Sequence, residues 1–202
     1  MTPPILEVKS LSKHFAQRRG LLGLLTGKAG GTIPAVDDVS FTLAEHETLG
    51  LVGESGCGKT TTGKAILKLM PVTAGEIRYR DQDITALTAG EFRPLRREIQ
   101  MIFQDLDAAL NPKMRIENIL REAVGLREPQ LDSDGLRRRT YELLELVNLK
   151  KNKLANFPSE LSGGEKRRIS IARVLAVSPK LIVADEPTRA LDVSIQAQVI
   201  NL

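Results

Sequence analysis

The N-terminal part of the chain contains two segments in which apolar and polar residues alternate. Ile5 to Val8 and Val36 to Leu43 follow the period of two that is typical of half-buried β-strands, and we expect antiparallel elements. Between them, Gln17 to Thr32 holds five glycines around the short apolar patch Leu21 to Leu25. This composition predicts an inserted loop, because the patch is too short to cross a bilayer.

Two further apolar runs predict strands of a different kind. Thr48 to Val52 leads into a glycine-rich turn, and Thr60 to Met70 then has the spacing of a helix that Pro71 ends. Leu181 to Ala184 follows Pro179, predicts a second buried strand and ends in two acidic residues. Parallel strands that are joined through helices predict an α/β fold.

The pattern between Pro112 and about Phe157 is helical, with apolar residues spaced among charges. We expect a single domain in which residues 1–111 and 158–202 form the core and about 112–157 form an inserted helical subdomain. No apolar run suits a membrane-spanning helix and no signal segment begins the chain, so we expect a cytosolic protein. The single cysteine, Cys57, cannot form an internal disulfide.

The distribution of basic and aromatic residues bears on whether the chain binds nucleic acid. The net charge is +4 at pH 7, but the basic residues lie in short clusters such as Arg137 to Arg139 and Lys166 to Arg168, which we interpret as solvated helix faces. Nucleic-acid-binding modules interleave aromatic residues with their charge, and this chain has two Tyr, five Phe and no Trp. We therefore expect no nucleic-acid partner.

Residues 53 to 60 match the pattern of a phosphate-binding loop, with a predicted strand before them and a predicted helix after them. Glycines let the backbone amides point at phosphate oxygens, and the helix adds its positive end. Lys59 would reach the β- and γ-phosphates and Thr60 would bind magnesium; the alternative is a glycine turn before a helix. The predicted nucleotide-binding residues here are Gly53, Glu54, Ser55, Gly56, Cys57, Gly58, Lys59, Thr60 and Thr61.

Two acidic residues follow the predicted strand Leu181 to Ala184, where a magnesium nucleotide site needs a carboxylate. Asp185 would orient magnesium through water, and Glu186 would polarise the water that attacks the γ-phosphate. Alone, such a pair is as often a helix cap or a turn. Together with a phosphate loop it predicts ATP hydrolysis.

The segment Leu161 to Glu165 precedes a helical stretch, and Ser162 with Glu165 has the spacing of a capping box. The simplest interpretation is a well-capped helix. Gly163 and Gly164 also expose amides at the start of this helix, which predicts an anion site with neither base nor metal of its own. Such a half-site suits a nucleotide that another chain holds.

Five segments lie in this order along the chain: Gly53–Thr60, Gln104, Leu161–Glu165, Leu181–Glu186 and Ala190–Asp192. This series resembles the ATPase subunits of ABC transporters over essentially the whole chain. The resemblance implies a P-loop NTPase core with an antiparallel β subdomain and an inserted α-helical subdomain. It also implies ATP and Mg²⁺ as cofactors, and a head-to-tail dimer that encloses two ATP molecules.

The same resemblance assigns roles to single residues. Ser162, Gly163 and Gly164 would contact the γ-phosphate that the partner protomer holds, and Asp192 would contact the opposite protomer. Phe15 occupies the place of the aromatic that stacks on adenine, although a buried core phenylalanine is the alternative. The implied catalytic residues are Glu186, Gln104 and Lys59, and the implied magnesium ligands are Thr60, Gln104 and Asp185.

Four segments are similar to the dipeptide, oligopeptide and nickel importer branch: Val52–Lys59, Met101–Asp105, Leu110–Pro112 and Asp192–Gln198. This similarity implies a second ATPase subunit, identical or related, together with transmembrane permease subunits and an extracytoplasmic substrate-binding protein. The chain would act at the cytoplasmic face of the inner membrane, with residues 105–112 near the permease.

Two alternatives stay open. Chromosome-maintenance and DNA-repair ATPases share the phosphate motifs but separate them by long coiled coils, whereas Gln104 and Leu161 are 57 residues apart. The other alternative is a nucleotide-binding remnant without catalytic activity. The family has a switch histidine well beyond the position of Asp192, whereas this chain ends ten residues after Asp192. Neither His14 nor His46 lies in that region, so we expect a truncated product with weak hydrolysis.

Three residues depart from the pattern or invite a test. Glu165 replaces the usual glutamine and brings a carboxylate toward phosphate, so we hypothesise that Glu165→Gln strengthens ATP-driven dimerisation. Arg189 adds bulk and charge at the predicted dimer face, where it would pair with the opposing nucleotide or clash. Cys57 lies among amides near Lys59, which predicts a reactive thiolate; an inert loop position is the alternative.

Overall fold

The computed structural model describes residues 3–16 and 31–187. The chain divides into two compact units, Met1–Arg93 and Pro94–Leu202. Several predictions lie outside the described residues: the glycine-rich loop up to residue 30, Arg189, and the segment that contains Asp192.

The first unit is built on a four-stranded sheet with the order β2-β1-β3-β4, in which neighbouring strands are antiparallel. The predicted antiparallel pair is confirmed, because Leu6 lies opposite Leu43 and Val8 opposite Phe41. Both strands extend beyond the predicted alternation. The four strands are β1 (Leu6–Ala16), β2 (Thr32–Leu43), β3 (Ala74–Tyr79) and β4 (Gln82–Asp83).

A bulge in β1 explains why its alternation changes phase. Leu6 and Val8 are buried, and the next buried residue is Leu11 rather than residue 10. The register of β1 against β2 shifts between Val8 and Leu11, and Ser10 has a φ of 47°. An extra residue at a bulge moves the following side chains to the other face, which keeps Leu11 in the core.

The first unit has two helices, α1 (Lys59–Ile66) and α2 (Ala89–Phe92). The prediction that α1 lasts until Pro71 is wrong. Lys68 has a φ of 50°, and the amides of Lys68 and Leu69 donate to carbonyls of the last helical turn, both at 2.9 Å. This is a Schellman closure, so a left-handed residue ends α1 before the proline.

The prediction of a strand at Thr48 to Val52 is also wrong. Within the described part of the chain this run pairs with no strand, and Leu49, Leu51 and Val52 are 42, 43 and 98% exposed. An apolar run becomes a strand only where a neighbour accepts its backbone hydrogen bonds. The local pattern carries no information about that neighbour.

The second unit contains two parallel strands, β5 (Ile99–Ile102) and β6 (Leu181–Ala184), with Ile99 opposite Leu181. The predicted α/β arrangement is confirmed, but the strand that pairs with β6 is β5, which was not predicted, and not Thr48 to Val52. The expectation of a fully buried β6 is wrong, because Ile182 is 39% exposed. Within the described residues β6 pairs with β5 alone, so its side chains alternate between buried and exposed.

Helices fill the space between these two strands in sequence, as the spacing after Pro112 predicts. They pack around fully buried residues such as Val124, Leu144 and Ile169, each of which stabilises the unit by about 1.5–3 kcal/mol. No helix among the described residues is long and apolar enough to cross a bilayer. The α-helices are α3 (Leu106–Ala109), α4 (Ile116–Arg127), α5 (Ser133–Leu146) and α6 (Gly163–Ala176), and short 3₁₀ turns lie at Pro94–Arg97, Lys151–Ala155 and Pro158–Glu160.

Candidate functional site

The phosphate-loop pattern forms a loop that requires glycine at two positions. Gly56 and Gly58 have φ values of 83° and 97°, in a region that other residues rarely adopt. Gly58 is also the N-cap of α1, and a Cβ there would lie 2.1 Å from the carbonyl oxygen of Ala35 in β2. The start of α1 is therefore held close to β2 by a residue that has no side chain.

The ammonium group of Lys59 lies over this loop. Its Nζ donates to the carbonyl oxygens of Gly53 and Glu54, both at 2.7 Å. Thr60 and Thr61 lie in the first turn of α1, half-buried, directly after the lysine. A positive side chain and the amino end of a helix thus face the same loop, which is the arrangement that binds phosphate.

Cys57 lies inside the same loop. It is exposed, and its Sγ lies 3.5 Å from Lys59 Nζ. A Cβ built on Gly53 would lie 2.5 Å from this sulfur, so the thiol covers the face of Gly53. Any group attached to the sulfur would occupy the space above the loop.

Phe15 lies near the end of β1, opposite Ile33. It is 42% exposed, so the alternative that it is a buried core residue is wrong. Lys13 Nζ lies 5.2 Å from the centre of its ring. An exposed ring with a cation on it is suited to stacking on a flat partner.

Gln104 and Glu186 are hydrogen-bonded where β5 and β6 end. Gln104 Nε2 donates to Glu186 Oε2 at 2.9 Å. The amide of Asp185 donates to the carbonyl of Ile102 at 3.0 Å, so the pairing continues past the end of β6. Glu186 has a φ of 49°, an uncommon conformation for a residue other than glycine. The carboxyl ends of parallel strands are where α/β sheets bind ligands.

The side chains at this edge fit a magnesium ion. A carboxylate only accepts hydrogen bonds, so Gln104 must face Glu186 with its NH₂ group, and its carbonyl oxygen is the atom that can bind a cation. Asp185 adds a half-buried carboxylate one residue after β6. The described residues contain no group of three His, Cys, Asp or Glu that could hold a metal. Carboxylate and amide oxygens of this kind are ligands that Mg²⁺ takes alongside water and phosphate oxygens.

Ser162 caps α6 as the spacing predicts. Its Oγ accepts from the amide of Glu165 at 3.3 Å, and the Glu165 carboxylate accepts from the amide of Ser162 at 3.0 Å. Gly163 and Gly164 form the first turn. A Cβ on Gly163 would meet no atom of the described residues within 4 Å, so their packing does not require glycine there.

Lys153 is a partner of Glu165 that the sequence pattern does not reveal. Lys153 Nζ lies 2.8 Å from Glu165 Oε1, and the two side chains are 29 and 19% exposed. The hydrogen bond from Lys153, followed by that from the Ser162 amide, holds the pKa of Glu165 below its ordinary value. The carboxylate that replaces glutamine is therefore charged and compensated at neutral pH.

The interpretation of Lys166 to Arg168 as a solvated helix face is wrong for its central residue. Arg167 is only 2% exposed, and its guanidinium donates to the carbonyl oxygens of Phe103 at 2.6 Å and Gln104 at 3.2 Å. Within the run of three basic residues from Lys166 to Arg168, the sequence does not distinguish the buried residue from its neighbours. Sequence reasoning missed both Arg167 and Lys153.

The ABC transporter family matches residues 36–189. The oligopeptide transport ATP-binding protein OppF of Bacillus subtilis is 45% identical over 203 residues, and the dipeptide transport ATP-binding protein DppF of Lactococcus lactis subsp. cremoris is 47% identical over 209. Both alignments cover 100% of this chain but 63% of the relative. The chain thus spans less than two thirds of the length of these proteins.

Solved structures agree with these relatives. The ATP-binding cassette MJ0796, in a dimeric post-hydrolysis state bound to ADP and Pi, superimposes with a TM-score of 0.83 at 28% identity, covering 97% of this chain and 80% of that one. A second dimeric structure of MJ0796, a bacterial ABC transporter cassette, gives a TM-score of 0.84 at 27% identity. The fold class that the motifs imply is confirmed, and the chain belongs to the ABC transporter family.

Proposed function

We propose that the chain binds and hydrolyses ATP as a motor subunit of an ABC importer for peptides. The observation that carries this proposal is the hydrogen bond between Gln104 and Glu186 at the end of a parallel strand pair. This bond links the side chain of Gln104, whose carbonyl oxygen can bind a cation, to the carboxylate of Glu186, which can accept a proton. A merely structural turn has no need of this combination.

The loop from Gly53 to Thr60 supplies the phosphate-binding part. Lys59 exchanges its two carbonyl partners for oxygens of the β- and γ-phosphates, to which an ammonium bonds more strongly because they are charged. The amino end of α1 adds its positive dipole. Thr60 contributes a hydroxyl to magnesium, and Phe15 stacks on the adenine ring, as the sequence predicts.

Glu186 is the proposed general base. Its carboxylate orients the attacking water and accepts a proton from it, while the bond from Gln104 fixes the carboxylate. The Asp185 carboxylate and the side-chain carbonyl oxygen of Gln104 are the proposed ligands of magnesium. When bound, the ion neutralises charge that develops on the phosphates.

We infer that the start of α6 faces a nucleotide held by a second ATPase subunit. The open space at Gly163 supports this, because glycine at a helix start weakens the helix and no neighbour among residues 3–16 and 31–187 requires it. Ser162, Gly163 and Gly164 then offer amides and a hydroxyl to the γ-phosphate. Asp192 contacts the partner in the same proposal.

The names of the relatives suggest the cargo. OppF and DppF are named as oligopeptide and dipeptide transport ATP-binding proteins, so we propose uptake of di- or oligopeptides, with nickel as the alternative cargo. Transmembrane permease subunits at the cytoplasmic face of the inner membrane and an extracytoplasmic substrate-binding protein are the proposed partners. Residues 105–112 are the proposed contact with the permease.

Titration of the chain with MgATP in a calorimeter, followed by phosphate-release assays, tests the proposal. We expect binding that Lys59→Met weakens at least about tenfold, since it removes hydrogen bonds to charged oxygens. Lys64→Met, on the same helix, is the matched control and should bind normally. Absence of MgATP binding to the unmodified chain would refute the proposal.

A further inference from the structure

Arg167 is buried in the second unit although it carries a permanent charge. It is 2% exposed and is the only charged residue among the buried side chains of the described residues. Burying a guanidinium is costly unless hydrogen bonds compensate it. Two of its donors reach main-chain carbonyl oxygens, those of Phe103 and Gln104.

These carbonyls belong to the segment that carries the proposed catalytic amide. Gln104 accepts from Arg167 through its main-chain oxygen and donates to Glu186 through its side chain. Arg167 lies on α6, the helix that begins at Ser162. A continuous path of hydrogen bonds therefore runs from α6 through Arg167 and Gln104 to Glu186.

We propose that Arg167 is a positioning residue for hydrolysis, which fixes the main chain at residues 103–104 so that the Gln104 amide meets the Glu186 carboxylate. The inference rests on the proposed ATPase function and deepens it. Arginine suits this task because its planar group presents several donors in a fixed geometry. The single ammonium of a lysine holds two diverging carbonyls less rigidly.

A purely structural role is the competing explanation, and the same helix offers a control. Arg173 is also partly buried, and its guanidinium donates to the carbonyl oxygen of Ala109, which lies outside the Gln104 segment. Replacing Arg173 by lysine should disturb the packing of α6 in a similar way. It should leave the position of Gln104 unchanged.

The test compares steady-state ATP hydrolysis by Arg167→Lys, Arg173→Lys, Gln104→Ala and the double variant Gln104→Ala/Arg167→Lys. We expect Arg167→Lys to lower kcat about tenfold, since small displacements of catalytic groups are costly, with KM for ATP little changed. In the Gln104→Ala background the same replacement should cause no further loss. Arg173→Lys should lower Tm about as much as Arg167→Lys does, but it should leave kcat unchanged.

Two results would overturn the proposal: an undiminished effect of Arg167→Lys in the Gln104→Ala background, or an equal loss of kcat in Arg173→Lys. A chain that does not hydrolyse ATP would refute the proposed function instead. In that case hydrogen exchange of the nucleotide-free chain decides whether Arg167 positions the segment. Amides of residues 103–106 should exchange faster in Arg167→Lys than in Arg173→Lys, and equal rates would contradict it.

Discussion

The Gln104 amide donates to the Glu186 carboxylate over 2.9 Å, and the two residues lie 82 positions apart in sequence. The parallel pairing of β5 with β6 brings them together, since Ile102 lies opposite Ala184 just before each of them. The bond orients both groups at once: the carboxylate is held in place, and the carbonyl oxygen of Gln104 is directed away from it.

Glu186→Gln should abolish turnover while it preserves nucleotide binding. An amide cannot accept the proton of the attacking water, so kcat should fall about 10²- to 10⁴-fold. Phosphate release and ATP titration measure the two effects separately. Glu142→Gln, which alters an exposed acid that pairs with Arg139, is the control and should hydrolyse normally. Normal hydrolysis by Glu186→Gln would exclude Glu186 as the general base.

Alkylation of Cys57 should block ATP binding, because any added group occupies the space over Gly53 and beside Lys59. MgATP should protect the thiol, and at a concentration 100 times its Kd the reaction should slow about a hundredfold, as only the nucleotide-free fraction reacts. The rate of thiol modification with and without MgATP measures this. Equal rates of modification with and without MgATP would contradict the hypothesis that the nucleotide covers Cys57. As a control, Cys57→Ser should still bind MgATP.

Gly163→Ala should raise the stability of the folded chain but weaken its ATP-driven dimerisation. A Cβ there meets no atom within 4 Å in the part of the chain that the structure describes, and the substitution removes glycine from a helix, so the free energy of unfolding should rise by up to about 1 kcal/mol. ATP-driven dimerisation should weaken at least about tenfold, because the methyl group blocks hydrogen bonds to charged oxygens. Urea unfolding and analytical ultracentrifugation measure the two quantities. Gly90→Ala in α2 is the control, and unimpaired dimerisation of Gly163→Ala would contradict the proposed interface.

Lys153 and Glu165 should act on dimerisation in opposite directions. Glu165→Gln should strengthen ATP-driven association and Lys153→Met should weaken it, each about two- to fivefold, because they change the charge at the start of α6. The double variant should return close to the unmodified chain. Sedimentation in the Glu186→Gln background measures this without turnover, and high salt should reduce both effects.

Lys151→Met is the matched control for this pair, since Lys151 pairs with Glu145 instead. It should leave association unchanged. Equal effects of Lys151→Met and Lys153→Met would show that only the net charge matters, and would contradict a specific role of the pair.

The cap of α6 should weaken in acid. The pKa of Glu165 is lowered in the folded chain, chiefly by the hydrogen bond from Lys153. The charged carboxylate therefore contributes fully to the free energy of unfolding above the ordinary pKa of 4.5, and this contribution is lost as the pH falls through the folded-state pKa. The free energy of unfolding should therefore decline below pH 4.5 more in the unmodified chain than in Glu165→Gln. Urea unfolding at a series of pH values measures this; a constant difference between the two chains would contradict it.

Local features of the molecule could be predicted from sequence. The capping box at Ser162 and Glu165 depends on residues three positions apart, and the positive φ values of Gly56 and Gly58 depend on the conformational freedom of glycine itself. The strand conformation of β1 and β2 follows in the same way from the alternation within each segment, although the pairing of Leu6 with Leu43 does not. In each case nearly all of the physical cause lies within a few residues.

Features that depend on distant neighbours could not be predicted. Thr48 to Val52 has the composition of a strand but no pairing partner among the described residues. Arg167 lies in a basic cluster that suggests solvent, but its guanidinium donates to the main-chain carbonyls of Phe103 and Gln104, which lie more than 60 residues away in sequence. Lys153, in the 3₁₀ turn Lys151–Ala155, forms an ion pair with Glu165, which no spacing in the chain reveals.

The early closure of α1 at Lys68 leaves the helix behind the phosphate loop with eight residues. Eight residues are too few for an isolated helix to persist in water, so the loop before it depends on outside support. A nucleotide at 100 times its Kd would add about 2.7 kcal/mol to the stability of the folded state. Under the proposed function, loss of the nucleotide would raise the fraction of chains in which α1 and its loop are unfolded and accessible to proteases.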